Sequence, residues 1–159
     1  MDIFSLNTSK KRILIIGGGF GGIEIARRLD TRQYEVLLID KHNYFTFQPL
    51  LYQVATGGLE PDSVAYPLRK ILKKNKDVLF RLTEVTSIDQ VSSKVMTTIG
   101  EIPYDILIIA TGAMTNFFNM VETEKNALAL KSVTDALNIR SFVLQKFEAA
   151  LLEKSKEEQ

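Results

Sequence analysis

The chain has 159 residues, 45% of them hydrophobic and 25% charged, with 20 Lys+Arg against 19 Asp+Glu. That is globular usage with enough length for a core, and the near-zero net charge gives no general reason to expect nucleic acid as a partner. The chain has no cysteine and only one histidine, His42, which excludes disulfides, iron–sulfur ligation and thiolate zinc sites and argues against a His-based metal centre or a Ser-His-Asp triad.

In chain order, residues 1–11 read as a polar lead-in with no apolar stretch and cleavage site, so no signal peptide is expected. Ile13-Leu14-Ile15-Ile16 is a wholly apolar run ended by glycines, the pattern of a strand buried on both faces of a parallel sheet. Ile23 to Leu29 follows as a short helix with Ile25, Ala26 and Leu29 on one face, and Val36-Leu37-Leu38-Ile39-Asp40 as a second buried strand. These three pieces fit within 29 residues, one βαβ unit. From Lys41 to Gly58 the chain is a loop crowded with Tyr44, Phe45, Phe47, Leu50, Leu51 and Tyr52, so it is expected to pack against something. Pro67 suits the first turn of a helix whose apolar face is Leu68, Ile71 and Leu72, with Lys73, Lys74 and Lys76 at its C-terminal end.

Val78 to Val85 alternates and predicts a strand. Residues 86–104 predict a small antiparallel meander turning at Gly100. Ile106-Leu107-Ile108-Ile109 predicts a third buried strand, and its run to Ala110 is the longest aliphatic one, far short of a membrane span. Ser132 with Asp135 resembles a capping box opening a long helix, Val133 to Glu153, followed by a mixed-sign tail. The whole reads as one α/β domain, and a soluble or peripheral intracellular protein is the expectation.

Gly17-Gly18-Gly19-Phe20-Gly21-Gly22 carries the chemistry. Gly17, Gly19 and Gly22 fit G-x-G-x-x-G between a buried strand and a helix, the setting in which that motif binds a dinucleotide. Gly17 allows the tight turn, Gly19 the approach of a pyrophosphate, and Gly22 close helix–strand packing. The helix N-terminus then offers N–H groups and a positive dipole end to the phosphates. Asp40 lies 18 residues after Gly22 at the end of the second strand, where a carboxylate accepts hydrogen bonds from an adenosine ribose and repels a 2′-phosphate. A glycine-rich turn without ligand, and an acid that merely caps a turn, are the bland alternatives. This motif alone leaves FAD and NAD both open. Ala110, Thr111 and Gly112 form a small-residue turn after the third strand, where the backbone can pass close to a cofactor.

With these residues in place, the stretch from Lys11 to about Lys154 resembles the N-terminal FAD-binding part of the type II NADH dehydrogenases, the single-subunit NADH:quinone oxidoreductases of the pyridine nucleotide-disulfide oxidoreductase-like flavoproteins. Arg12 to Gly22, Phe45 to Gly57, Ala65 to Arg69 and Tyr104 to Gly112 carry the resemblance. Phe47-Gln48-Pro49-Leu50-Leu51-Tyr52-Gln53 is its most specific block. The resemblance implies a Rossmann-like FAD-binding domain over 12–131, with a central parallel sheet and a small antiparallel meander. It implies that residues 132–159 form a helix leading to an NADH-binding domain that this chain does not contain.

The same resemblance assigns Gly17 to Gly22, Phe20 included, to the FAD pyrophosphate, and Asp40 with Lys41 to the adenosine end. It assigns Val85 to the adenine through its backbone, Ala110, Thr111 and Gly112 to the cofactor's middle, and Thr46 and Gln48 to the neighbourhood of the flavin ring. No residue stands out as a catalytic acid or base, and no metal is implied. NADH and quinone would be the partners of the longer protein, through segments absent here. The longer protein would be cytoplasmic, peripheral on the inner face of the cell membrane. The isolated chain is expected to hold flavin weakly and to self-associate through an exposed sheet edge. The rival readings are an NAD-linked reductase of small electron carriers, which would lack the Phe47–Gln53 block, and a non-catalytic dinucleotide-binding module.

Overall fold

The structure is a computed structural model and describes residues 3–6, 9–75 and 77–152. It contains nine strands and five α-helices among these residues. The chain packs as two compact units: residues 1–45 with 66–112, and residues 46–65 with 113–159.

The first unit is built on a four-stranded parallel sheet. Its strands are β1 (Lys11–Ile16), β2 (Tyr34–Asp40), β5 (Val78–Leu82) and β9 (Ile106–Ile109), in the order β5-β2-β1-β9. The apolar runs alternate between two covered faces, which is why they read as continuous rather than period-two patterns. Ile13, Ile15, Val36, Leu38, Val78 and Phe80 pack on one face with Ile23 and Ala26 of helix α1 (Phe20–Arg28) and with Leu68 and Leu72. Leu14, Ile16, Leu37 and Ile39 pack on the other face with Val95 and Ile102. Those two residues belong to an antiparallel meander of β6 (Val85–Asp89), β7 (Lys94–Thr97) and β8 (Gly100–Pro103). Two short strands, β3 (Tyr44–Thr46) and β4 (Ala65–Pro67), pair in a sheet of their own. Helix α3 (Leu68–Ile71) continues into a 3-10 turn, Leu72–Lys74.

In the second unit, a 3-10 turn at Gln48–Leu50 runs into helix α2 (Leu51–Ala55). Leu51, Val54 and Ala55 bury with Val64 against Ala136 of the long helix α5 (Val133–Leu152). The helix α4 (Val121–Asn126) is exposed throughout.

The parallel sheet, the meander and the long helix agree with the sequence reading, and five details differ. The strand expected at Val78–Val85 is two strands. The chain leaves the parallel sheet at Leu82, is tied by the Thr83 N–H to the Asp40 carbonyl (2.9 Å), and starts the meander at Val85. The third strand is not buried: β9 is an edge, with Ile106 42% and Ile109 62% exposed. The lead-in is not wholly polar, because Ile3 is buried in the core on the meander side. The aromatic loop contains helix α2 with three buried residues. Pro67 caps α3 rather than sitting in its first turn. Glu153 and the tail lie outside the described residues.

Candidate functional site: a glycine turn walled by backbone

The glycine turn leaves β1 after Ile16. The Gly17 N–H bonds the Ile39 carbonyl (2.8 Å), and the Ala110 N–H bonds the Ile16 carbonyl (2.8 Å). Gly17 takes φ +109°, outside the reach of an ordinary L residue, and a Cβ there would overlap the Ala110 carbonyl oxygen. A Cβ on Gly22 would overlap the Gly17 carbonyl oxygen, so α1 can sit this close to the turn only without a side chain. Gly19 differs: a Cβ there would meet no atom within 4 Å. Folding does not need glycine at that position. Open space in front of the backbone is what an incoming pyrophosphate needs.

Gly19 is also the N-cap of α1, with no side-chain cap and no acid in the first turn. That end of the helix is therefore left without a side-chain cap of its own, which suits an incoming anion. Lys41 is exposed just beyond Asp40.

Asp40 is held from two sides. Its Oδ2 accepts the Gly18 N–H at 2.5 Å and its Oδ1 accepts the His42 N–H at 2.7 Å, while Thr83 N–H occupies its backbone carbonyl. The carboxylate therefore sets the glycine turn and still has lone pairs free for a ribose hydroxyl. Leu68 backs Gly18 from the other side, 2.7 Å from where a Cβ would lie. Phe20 meets Phe45 edge to face, centroids 4.8 Å apart.

The structure brings Gly17 to Gly22, Asp40, Ala110, Thr111 and Gly112 together at the C-terminal ends of β1, β2 and β9. Thr111 N is 3.0 Å from the Gly17 Cβ direction, and Gly112 takes φ +72°. Val85 opens β6, one strand on from the Thr83–Asp40 tie. Thr46 and Gln48 belong to the second unit, where the Gln48 Oε1 accepts a hydrogen bond from the Lys131 ammonium (2.9 Å). Among the described residues no group of His, Cys, Asp or Glu is placed to hold a metal.

Sequence reasoning missed the Asp40–Gly18 bond and the most buried charge among the described residues, Arg12. The Arg12 guanidinium forms a two-pronged pair with Glu35 (Nε–Oε2 3.1 Å, Nη2–Oε1 3.0 Å) and donates to the carbonyls of Ile3, Ser5 and Pro103. The two residues are register partners on β1 and β2. The signal was present: each stands one place before an apolar run that pairs with the other.

Comparison with known proteins gives the family and the overall fold. The family model described as pyridine nucleotide-disulphide oxidoreductase matches residues 11–148. The type II NADH:quinone oxidoreductase NdhA of Mycobacterium tuberculosis is 42% identical over 145 residues, covering 89% of this chain and 31% of that protein. The mitochondrial external alternative NAD(P)H-ubiquinone oxidoreductase B2 of Arabidopsis thaliana is 38% identical over 168 residues, covering 99% of this chain and 29% of that protein. The solved structure of NDH2 from Plasmodium falciparum in complex with NADH superposes with TM-score 0.81 at 34% identity, covering 94% of this chain and 32% of that one. The chain thus spans about 30% of the length of the relatives it matches. It belongs to the pyridine nucleotide-disulphide oxidoreductase family, whose members hold FAD.

Proposed function

We propose that this chain is the FAD-binding part of an NADH:quinone oxidoreductase. One observation carries the reading: the glycine turn is walled by backbone at Gly17 and Gly22, open at Gly19, and locked by the same Asp40 carboxylate that suits a ribose. The 42% identity to a type II NADH:quinone oxidoreductase supports the choice of activity.

The chain's own residues bind and orient. Gly19 to Gly22 present N–H groups and the α1 terminus to the pyrophosphate, Asp40 accepts from the ribose, and Lys41 adds positive charge beside it. Val85 lies at the adenine end, Ala110 to Gly112 follow the middle of the cofactor, and the resemblance assigns Thr46 and Gln48 to the ring. Bound FAD would supply the redox chemistry, taking a hydride from NADH and passing two electrons to a quinone. None of the described residues is needed as acid or base for that chemistry. The segment 12–131 is the cofactor domain, and the helix from residue 132 leads on to NADH-binding sequence. The longer protein sits on the inner face of the cell membrane.

The test is NADH oxidation by the whole protein with and without an added quinone. Turnover that requires quinone supports the proposal; turnover with a protein acceptor and none with quinone overturns it. The 159-residue chain alone retains flavin weakly, and purification as a monomer with one tightly bound yellow flavin overturns that part.

A further inference from the structure

The segment Leu68–Lys74 alternates with a four-residue period. Leu68 and Leu72 are buried in the core, while Arg69, Lys70, Lys73 and Lys74 are exposed. Arg69 has a packing role, lying over the Phe80 ring 4.9 Å from its centroid, whereas Lys73 and Lys74 crowd like charges into the 3-10 turn Leu72–Lys74. Among the described residues no carboxylate pairs with any of these four cations or with Arg81. Residues 69–81 hold six Lys or Arg against one Asp, a net of +5 in a chain of net +1, so the remainder carries −4. The positive charge of the molecule is concentrated on this short stretch.

Three features say what this face fits. First, β5 is the outer strand of the sheet, and the carbonyl of its Phe80 is already taken by the guanidinium groups of Arg69 (3.4 Å) and Arg81 (3.0 Å). A partner strand would need that carbonyl, so addition of a protein strand is opposed here. Second, the cations spread along the segment instead of converging on one point, which suits an array of anionic groups better than a single free phosphate. Third, a shallow cavity of about 200 Å³ lies among them, rimmed by Arg69, Lys73 and Asn75 and floored by Leu72, Val78 and Phe80. On the same segment the Lys70 ammonium lies over the exposed Tyr66 ring, 5.9 Å from its centroid. Cations over an apolar floor, with an exposed aromatic nearby in sequence, match the headgroup layer of a membrane. The cavity is not the cofactor site. Val78 is level with Val36 and Ile13 at the start of the parallel strands, while the glycine turn leaves their far end after Ile16.

We infer that the basic face of residues 69–74, with Arg81, docks this chain on an anionic lipid surface. The inference rests on the proposed reading only for its setting as a membrane-peripheral protein; the charge pattern carries it.

The experiment is co-sedimentation of the 159-residue protein with phosphatidylcholine vesicles, with and without phosphatidylglycerol. Binding is expected only to the anionic vesicles and is expected to vanish at high salt. The pair Lys73→Glu, Lys74→Glu lowers the partition coefficient by about thirtyfold or more, and Lys73→Gln, Lys74→Gln by about thirtyfold. The neutral pair keeps the test valid if charge reversal disturbs folding. Equal binding to neutral vesicles, binding unchanged by the neutral pair, or binding of inorganic tripolyphosphate with none to vesicles overturns the inference. Flavin binding is measured on the same samples, and vesicle binding lost in the lysine variants with flavin binding equal to that of the parent chain is the pattern of a separate lipid face.

Discussion

Gly17 and Gly19 look alike in the sequence and do different jobs. Gly17→Ala puts a methyl group on the Ala110 carbonyl at a φ of +109°, so it strains the fold at a cost of about 1–3 kcal/mol or more. Gly19→Ala meets nothing in the protein and leaves the urea midpoint in place, while flavin affinity falls because the methyl group occupies the pyrophosphate space. Urea unfolding and flavin fluorescence quenching on the two variants separate these effects. Equal loss of stability in both would mean that the turn is glycine-rich for folding alone. Arg12 gives a second residue-scale test. Glu35→Ala strands a buried guanidinium and costs about 3–5 kcal/mol in urea unfolding, whereas replacing the pair with Arg12→Met, Glu35→Leu costs far less.

At the scale of the element, the cap of α5 is the point of pH sensitivity. Partial burial pushes the Asp135 carboxyl up, but the N–H groups of Lys131 (3.0 Å) and Ser132 (2.8 Å) more than offset this, so its pKa lies below the ordinary value of 3.8. A depressed folded-state value means the cap stabilises above the unfolded value and is lost as pH falls through the folded one. Helicity followed by circular dichroism declines over that acid range in the native chain, and Asp135→Ala removes the step. Ser132→Ala, which loses the bond from the Asp135 N–H (3.1 Å), costs about 1 kcal/mol. The β9 edge makes the other element-scale prediction. Its outer side is unpaired within the sheet and carries exposed Ile106 and Ile109. Sedimentation of the isolated chain is expected to show concentration-dependent association, and Ile106→Lys with Ile109→Lys reduces it. Association that is indifferent to both lysines places the contact elsewhere.

At the scale of the whole molecule, the parallel sheet was readable because its strands are bounded by unmistakable punctuation: glycines after Ile16, an acid after Ile39 and a small-residue turn after Ile109. The glycine turn and Asp40 were readable for the same reason, since sterics at Gly17 and Gly22 and hydrogen bonding at Asp40 restrict those positions to few residue types. Exposure of β9 was not readable, because four aliphatic residues look the same at an edge as in the centre, and only strand order distinguishes them. Nor was the helix inside the aromatic segment, whose buried side, Leu51, Val54 and Ala55, is set by contact with a helix about eighty residues away. The Arg12 cluster escaped for a related reason: its partners come from Ile3, Ser5, Glu35 and Pro103, far apart along the chain. That dispersal matters during synthesis. Pro103 lies 91 residues after Arg12, so the guanidinium keeps part of its water shell until the meander has left the ribosome. Strand β1 can then seal only after the meander is made, which ties assembly of the nucleotide cradle to a residue translated well after the glycine turn itself.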